Sequence, residues 1–555
     1  MDGGLNVITR LQEDMIERFT RDGYWINKPL SDYLTEAAEK NPDKEAVVDR
    51  ERRITYRQLS ESVNRMALGL LELGIKRGDV VSFQLPNWLE TVIIHHAVSR
   101  IGAVTNPILP IYRSAEVRHI LKHARSRVII IPRMFRKMNY VDMVNGFRKD
   151  LPDLDHILVI GGNDLPNGMT SFETFIDTKW ENFRDPLMLE RIVPDPNDVT
   201  LIMFTSGTEA EPKGVLHTQN TLNRECRSVI DAWQLDEDDI FFVPGPVTHI
   251  GGLLYGLELP QMLKAKVVFM DIWDPDKAVE ILARERCTWT SGATPFLLGI
   301  LRSRALNDHD INSLRVFGCG GAAVPPSLIR EFRVRFPNCN LGRGYGLTEY
   351  PTISVNYVNS PLVKDAETDG LPARGTEVKI VDEENCTLPS GESGEILVKG
   401  PECFVGYLNP ELNKMYFDDD GWFHTGDLGR MDEDGYVEVT GRKKDIIIRG
   451  GENLSAKEIE DVLYTHPSVH QAAVVGMPDP IMQERLCAYL VLKAGQSISL
   501  EDLIIFLEEK EIARQKFPER LEIVDSMPMT ASGKIQKFVL RKHIQEKILG
   551  GNGSI

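Results

Sequence analysis

Phe204-Thr205-Ser206-Gly207-Thr208-Glu209-Ala210-Glu211-Pro212-Lys213-Gly214 directly follows an apolar, strand-like run, Val199 to Phe204. The stretch reads as a phosphate cradle. Thr205, Ser206 and Thr208 offer hydroxyls, Gly207 and Gly214 let backbone N–H groups approach an anion, and Lys213 brings a mobile positive charge. That inventory suits a triphosphate. It is not a P-loop, which ends Gly-Lys-Ser/Thr, because here the lysine precedes its glycine and Val215 follows. Clusters of Ser, Thr and Gly are also ordinary solvated turns between strands, so the rest of the chain decides between the two readings.

The chain has 555 residues, 42% of them hydrophobic, enough for about three to four domains' worth of core. With 64 Lys+Arg against 82 Asp+Glu, the net charge of −18 argues against a broad nucleic-acid or anionic-membrane surface, so any anion site must be local. Cys226, Cys287, Cys319, Cys339, Cys386, Cys403 and Cys487 are scattered, without a CxxC pair or His/Cys ligand spacing, which predicts reduced thiols and no zinc site. The N-terminus lacks the basic and apolar regions of a signal peptide, and no apolar run approaches the ~20 residues of a membrane span. The expected location is the cytoplasm.

Periodicity predicts a helix over 55–73, a strand at 80–85, a helix at 89–100 and a strand at 128–132, an alternation that implies α/β layers around a largely parallel sheet. A helix is expected from about Asn220, then strands at 240–243, 267–270, 289–291 and 315–317. The last opens into Gly318-Cys-Gly-Gly-Ala-Ala323, and small residues beyond a strand's C-terminal end are where doubly wound folds bind ligands. Shorter strands at 378–381, 395–398 and 436–440, with Gly/Pro/Asp turns, predict a small β-rich subdomain. Gly441-Arg-Lys-Lys-Asp445 separates it from a segment with its own alternation: helix 456–464, strands 472–475 and 488–492, helix 500–510. The fold class is therefore α/β: a large N-terminal domain of layered subdomains over 1–442, a hinge at 443–446, and a small mobile α+β domain over 447–555.

Five further stretches carry unusual combinations: Arg343-Gly-Tyr345-Gly-Leu-Thr348-Glu349, Gly394-Glu-Ile-Leu, His424-Thr-Gly-Asp427, Gly441-Arg442-Lys-Lys-Asp445 and Pro528-Met-Thr-Ala-Ser-Gly533-Lys534. In this order and spacing after the phosphate-type loop, the chain resembles the adenylate-forming superfamily of acyl-CoA synthetases, carrier-loading adenylation domains and firefly luciferases, over essentially its whole length. Within it, Arg449-Gly-Gly-Glu-Asn-Leu-Ser-Ala-Lys-Glu-Ile-Glu460 and the Gly-Tyr-Trp start at Gly23 look most like aryl- or alicyclic-acid ligases.

The resemblance implies activation of a small-molecule carboxylic acid by ATP to an acyl adenylate, then transfer to CoA, with a separate carrier protein as the alternative acceptor and a non-catalytic nucleotide-binding relative as the alternative outside enzymology. A homodimer stays open. It places the β- and γ-phosphates on Thr205, Ser206, Gly207, Thr208 and Lys213, adds Gly321 and Ala322 to the nucleotide site, sets Tyr345 by the adenine and Thr348 at the α-phosphate, and gives Mg²⁺ to Glu349, since that ion needs only one or two carboxylates. Asp427 and Arg442 fall to the ribose. Lys534 bridges the carboxylate and α-phosphate oxygens in the first step only. Lys444 is the hinge, Gly450 and Gly451 line the pantetheine path after rotation, and His249 gates the carboxylate rather than serving as a base, because the acid is already ionised at pH 7. Taken singly, Glu349, Asp427, Arg442 and Lys534 would read as surface charges, and Gly450-Gly451 as a turn.

Pro244 to Leu257 holds no acid to pair with a substrate ammonium, which argues for an uncharged aromatic, alicyclic or medium-chain acid. Gly251, Gly252, Gly256, Gly318, Gly320 and Ala322 are expected either to leave apolar volume for it or to be close-packing positions. Two features depart from the family pattern. Glu209 and Ala210 replace a usual Thr-Gly and Glu211 adds an acid, which predicts weaker ATP use that a Glu209→Thr, Ala210→Gly double variant should relieve as a lower KM for ATP. Arg343 stands where glutamine is common.

Overall fold

Val199–Thr205 is a continuous apolar run because it lies inside a sheet, covered on both faces. In this computed structural model, which describes residues 7–162, 164–205, 212–321, 324–450, 452–530, 533–548 and 550, that strand pairs with Val104–Pro107 in parallel and with Lys213–Thr218 antiparallel. It belongs to an eight-stranded sheet that continues through Val80–Phe83, Val128–Pro132, His156–Ile160 and Thr170–Ser171 and ends at Gly406–Tyr407 on the other side.

A second sheet of nine strands has parallel pairs linking Glu45–Asp49, Lys266–Phe269, Ile240–Val243, Trp289–Gly292, Val316–Gly320 and Asn340–Tyr345. Between the two sheets lie the helices Tyr56–Glu72, Leu89–Arg100 and Gln219–Trp233, and one apolar cluster takes residues from both sheets and from all three helices. Leu89–Arg100 is buried on every side from Leu89 to Ser99, as a helix sandwiched between layers must be. Its two histidines each find a partner there: His95 Nε2 meets Glu258 Oε1 at 3.1 Å and His96 Nε2 donates to the Leu257 carbonyl at 2.7 Å. Both contacts pin the π-helical turn Leu254–Glu258.

Four antiparallel strands, Glu377–Val381, Gly394–Lys399, Phe423–Met431 and Val437–Arg442, make the β-rich unit. Beyond the turn Lys443–Asp445, five strands form another sheet, Ile446–Arg449, Glu452–Ser455, Val469–Asp479, Gln483–Leu492 and Arg520–Ile523, with the helices Ala456–Leu463, Leu500–Glu509 and Lys537–Ile548. This is the α/β class with a small C-terminal α+β unit. The first of its expected strands, 472–475, is longer than its periodicity implied, running Val469–Asp479, because residues past Val475 pair with 483–486 without being strongly apolar. No helix among the described residues is long and apolar enough to cross a membrane.

Candidate active site

The two central sheets and the β-rich unit present strand ends to one cleft. Register pairs Thr205 with Lys213, so the phosphate-type stretch joins two antiparallel neighbours and delivers both residues to the same end. Ser206, Gly207, Thr208, Glu209, Ala210 and Glu211 lie outside the described residues, as do Ala322 and Gly451. Lys213 Nζ donates to Tyr416 Oη and sits 4.2 Å from the centre of that ring.

Asn340–Tyr345 ends the nine-stranded sheet's parallel run and carries the Tyr-Gly-Leu-Thr-Glu turn. Gly346 is required there: a Cβ would lie 1.9 Å from the Pro351 carbonyl oxygen. Thr348 is held through its backbone, whose carbonyl accepts from His217 Nε2 at 2.8 Å. Burial holds His217 down to about 4, so it is neutral. Tyr407 Oη donates to Glu349 Oε1 at 2.8 Å. Burial raises the Glu349 carboxyl while the Tyr407 hydrogen bond opposes it.

Asp427 is buried and collects three contacts: Tyr345 Oη donates to Oδ2 at 2.8 Å, Arg442 Nε lies 2.9 Å from Oδ1, and its own N–H donates to Thr425 Oγ1 at 3.1 Å. Strand pairing places Asp427 opposite Arg442, so the acid and the arginine that faces it are set by register, across adjacent strands.

Lys534 enters from the C-terminal unit on a tight turn, where Thr530 N–H donates to the Lys534 carbonyl at 2.7 Å and Gly533 takes φ +83°. A Cβ on Gly321 would lie 3.6 Å from Lys534 Cε, which puts the lysine at the tip of Val316–Gly320. Burial lowers its ammonium to about 8, Arg442 and Lys444 push the same way, and Asp427 and Glu349 oppose them. His249, at the start of Ile250–Leu253, is held down to about 3 by burial and by the charge of Lys534. A neutral imidazole beside an ammonium can orient an anion without competing for its proton.

The turn Lys443–Asp445 is braced on both sides: Lys443 Nζ lies 3.1 Å from Glu395 Oε2, and Arg541 Nη1 lies 2.8 Å from Asp445 Oδ1. Burial lowers the Lys444 ammonium, with Arg442 acting in the same direction. Gly450 closes the hairpin between Ile446–Arg449 and Glu452–Ser455 at φ +61°, with Met482 Cε 2.7 Å from where a Cβ would be. In this arrangement it is a turn.

Of the two expectations for the glycines near the acid, close packing is the one most of them meet. A Cβ on Gly252 would meet the Pro246 carbonyl oxygen at 2.0 Å, on Gly320 the Gly344 carbonyl oxygen at 2.6 Å, and on Gly318 the Trp233 ring at 2.6 Å, while Gly256 is lined by Phe269, Val247 and Val243. Gly251 is open, with Tyr255 no nearer than 3.7 Å. Arg343 also finds its account. It is buried, donating to Asp369 Oδ1 at 2.6 Å and to the Ala366 carbonyl at 2.9 Å, on the face opposite the glycines. Tyr407, Tyr416 and His217 are the site residues that sequence reasoning missed: His217 and Tyr407 sit in strands and Tyr416 at the end of the short helix Asn413–Tyr416, none in a stretch with a motif of its own.

A family model for AMP-binding enzymes matches residues 34–408, and one for the C-terminal domain of AMP-binding enzymes matches 458–534. The chain is 38% identical over 550 residues to a medium-chain fatty-acid–CoA ligase of Escherichia coli (strain K12), covering 99% of this chain and 96% of that one. A 2,3-dihydroxybenzoate-AMP ligase of Bacillus subtilis (strain 168) is 29% identical over 99% of both chains. Among solved structures, an anthranilate CoA ligase in complex with anthranoyl-AMP superposes with a TM-score of 0.85 at 25% identity, over 94% of this chain and 98% of that one. With both family models matched in order and a relative of this identity along nearly the full length, the chain belongs to the AMP-binding enzymes, in the adenylate-forming superfamily of acyl- and aryl-CoA ligases.

Proposed function

We propose that this enzyme activates an uncharged carboxylic acid with ATP, releases pyrophosphate, and passes the acyl group to CoA with release of AMP. The observation that carries this reading is Lys534, which a separate C-terminal unit delivers to the strand ends beside Gly321, in the field of Asp427, Glu349 and Arg442.

In the first step the ionised acid attacks the α-phosphorus, the bond to the β-phosphate oxygen breaks, and pyrophosphate leaves with its electron pair. The protein's work is positioning and charge neutralisation. Lys534 bridges the attacking carboxylate and an α-phosphate oxygen, Thr348 contacts the same phosphate, and Lys213 leaves Tyr416 to meet the β- and γ-phosphates together with Thr205. Asp427 and Arg442 hold the ribose, with Tyr345 at the adenine and tied to Asp427 by its hydroxyl. Glu349 suits a Mg²⁺, because Tyr407 occupies Oε1 and leaves Oε2 to present to a hard cation. The ion, when bound, offsets phosphate charge.

In the second step the CoA sulfur attacks the acyl carbon and AMP departs. Residues 443–446 serve as the hinge between 1–442 and 447–555, carrying Lys534 out and Gly450 in. The seven cysteines are all unpaired, which suits a reducing compartment, and the cytoplasm is the setting we propose.

The test is pyrophosphate release with ATP and Mg²⁺ across benzoates, cyclohexane carboxylates and fatty acids of graded length, with and without CoA. Turnover stimulated by CoA, with acyl-CoA as product, is expected. Release that CoA does not stimulate would redirect the second step to a carrier protein, and no release with any acid would overturn the proposal.

A further inference from the structure

The strands Val316–Gly320 and Asn340–Tyr345 run parallel with Gly318 opposite Gly342 and Gly320 opposite Gly344. Side chains alternate along a strand, so these four positions face one side of the sheet while Cys319 and Arg343 face the other. The outer pair lies at the cleft end: Gly320 and Gly344 are half-buried, although a Cβ on Gly320 would meet the Gly344 carbonyl oxygen at 2.6 Å, and Gly321 follows beside Lys534. The inner pair is filled. A Cβ on Gly318 would come within 2.6 Å of Trp233 Cη2, and one on Gly342 within 2.6 Å of Trp233 Nε1, so a single indole occupies the room of two absent side chains. Trp233, the last residue of Gln219–Trp233, is 4% exposed and donates Nε1–H to the Asn356 carbonyl at 3.2 Å.

The opposite wall leads to the same place. From His249, next to Lys534, the chain passes half-buried Gly251 and reaches Tyr255, whose ring lies 6.3 Å from Trp233 and 5.3 Å from Trp289. Tyr255 Oη donates to Glu225 Oε1 at 3.0 Å, an oxygen that also accepts from Thr352 at 2.8 Å, so the ring is fixed from behind.

We propose that Trp233 is the specificity-determining residue for acid length, its indole closing the pocket that begins at Lys534. Two residues along a parallel strand is about 7 Å. That depth admits a single ring or a short chain and stops a long unbranched one, because a close-packed, hydrogen-bonded indole cannot yield. The inference rests on the acid–CoA ligase reading above, and it narrows the acid to compact aromatic, alicyclic or short-chain members.

The experiment compares kcat/KM for benzoate, butyrate, hexanoate and dodecanoate, by pyrophosphate release, in the wild type, Trp233→Leu and Gly251→Ala. The wild type should prefer benzoate and hexanoate. Trp233→Leu should raise the dodecanoate-to-hexanoate ratio by about tenfold or more, the scale on which methylenes are discriminated in apolar pockets, with KM for ATP unchanged. Gly251→Ala needs no backbone shift, since its Cβ meets only Tyr255 at ordinary contact distance; it narrows the slot from the other wall and should lower benzoate relative to butyrate even where Trp233→Leu fails to fold. Release by the wild type with an equal response to dodecanoate, or an unchanged length profile in Gly251→Ala and in a folded Trp233→Leu, overturns the role of Trp233 alone. No release with any acid overturns the ligase reading and the pocket with it.

Discussion

Lys534 illustrates how little a single side chain means until its surroundings are known. In solution its ammonium would stay charged well above pH 9, whereas burial, with Arg442 and Lys444 adding to it, brings it to about 8. The charged form is the one that bridges two anions, so the free enzyme loses competence as pH rises through that value. We expect kcat/KM for ATP to fall above about pH 8, read in a pH series of pyrophosphate release. Lys534→Ala should cut adenylate formation by about 100- to 1,000-fold while leaving transfer from a supplied acyl adenylate to CoA nearly intact; an equal loss in both half-reactions would remove the lysine from its role. Glu349 gives a second test at this scale. Tyr407→Phe deletes the donor to Oε1, so the apparent Mg²⁺ constant should rise by about tenfold, with KM for the acid unmoved, in a Mg²⁺ titration at saturating ATP.

At the scale of elements, Arg343 ties the parallel strand Asn340–Tyr345 to the β-rich unit. Its guanidinium binds Asp369, whose second oxygen accepts from Val439 N–H at 2.9 Å in the strand next to Asp427. Tyr345 and Asp427 therefore come from elements joined by one buried pair. Arg343→Gln leaves Asp369 without its charged partner and should cost about 3–5 kcal/mol of stability, seen as a lower midpoint in thermal or denaturant unfolding. A midpoint unchanged from wild type would show that the strut carries no stability.

For the whole molecule, the decisive feature is that one cleft is assembled from the two central sheets, the β-rich unit and the C-terminal unit. The braces Lys443–Glu395 and Arg541–Asp445 hold the arrangement that brings Lys534 in. Lys444→Pro fixes φ near −65° and biases Lys443 away from helical backbone, which opposes rotation at the turn. Acid-dependent pyrophosphate exchange should survive within a few fold, while acyl-CoA formation falls by an order of magnitude or more. Equal loss of both activities would place the hinge elsewhere.

The sequence alone carried the family, the α/β layering and the choice of Glu349, Asp427, Arg442 and Lys534 as candidates, because these depend on local periodicity and on residue types at fixed spacing. The helix over 89–100 and the strand at 240–243 were legible for the same reason: their apolar patterns are contiguous. Tertiary structure decided the rest. Tyr407 and Tyr416 act on Glu349 and Lys213 from 58 and 203 residues away, and nothing in their own stretches marks them. In the chain Gly318 allowed either apolar volume or close packing; an indole from a distant helix decides it, filling the room at Gly318 and at Gly342 opposite. A glycine states only that no side chain starts there; what occupies the volume depends on which element packs across it.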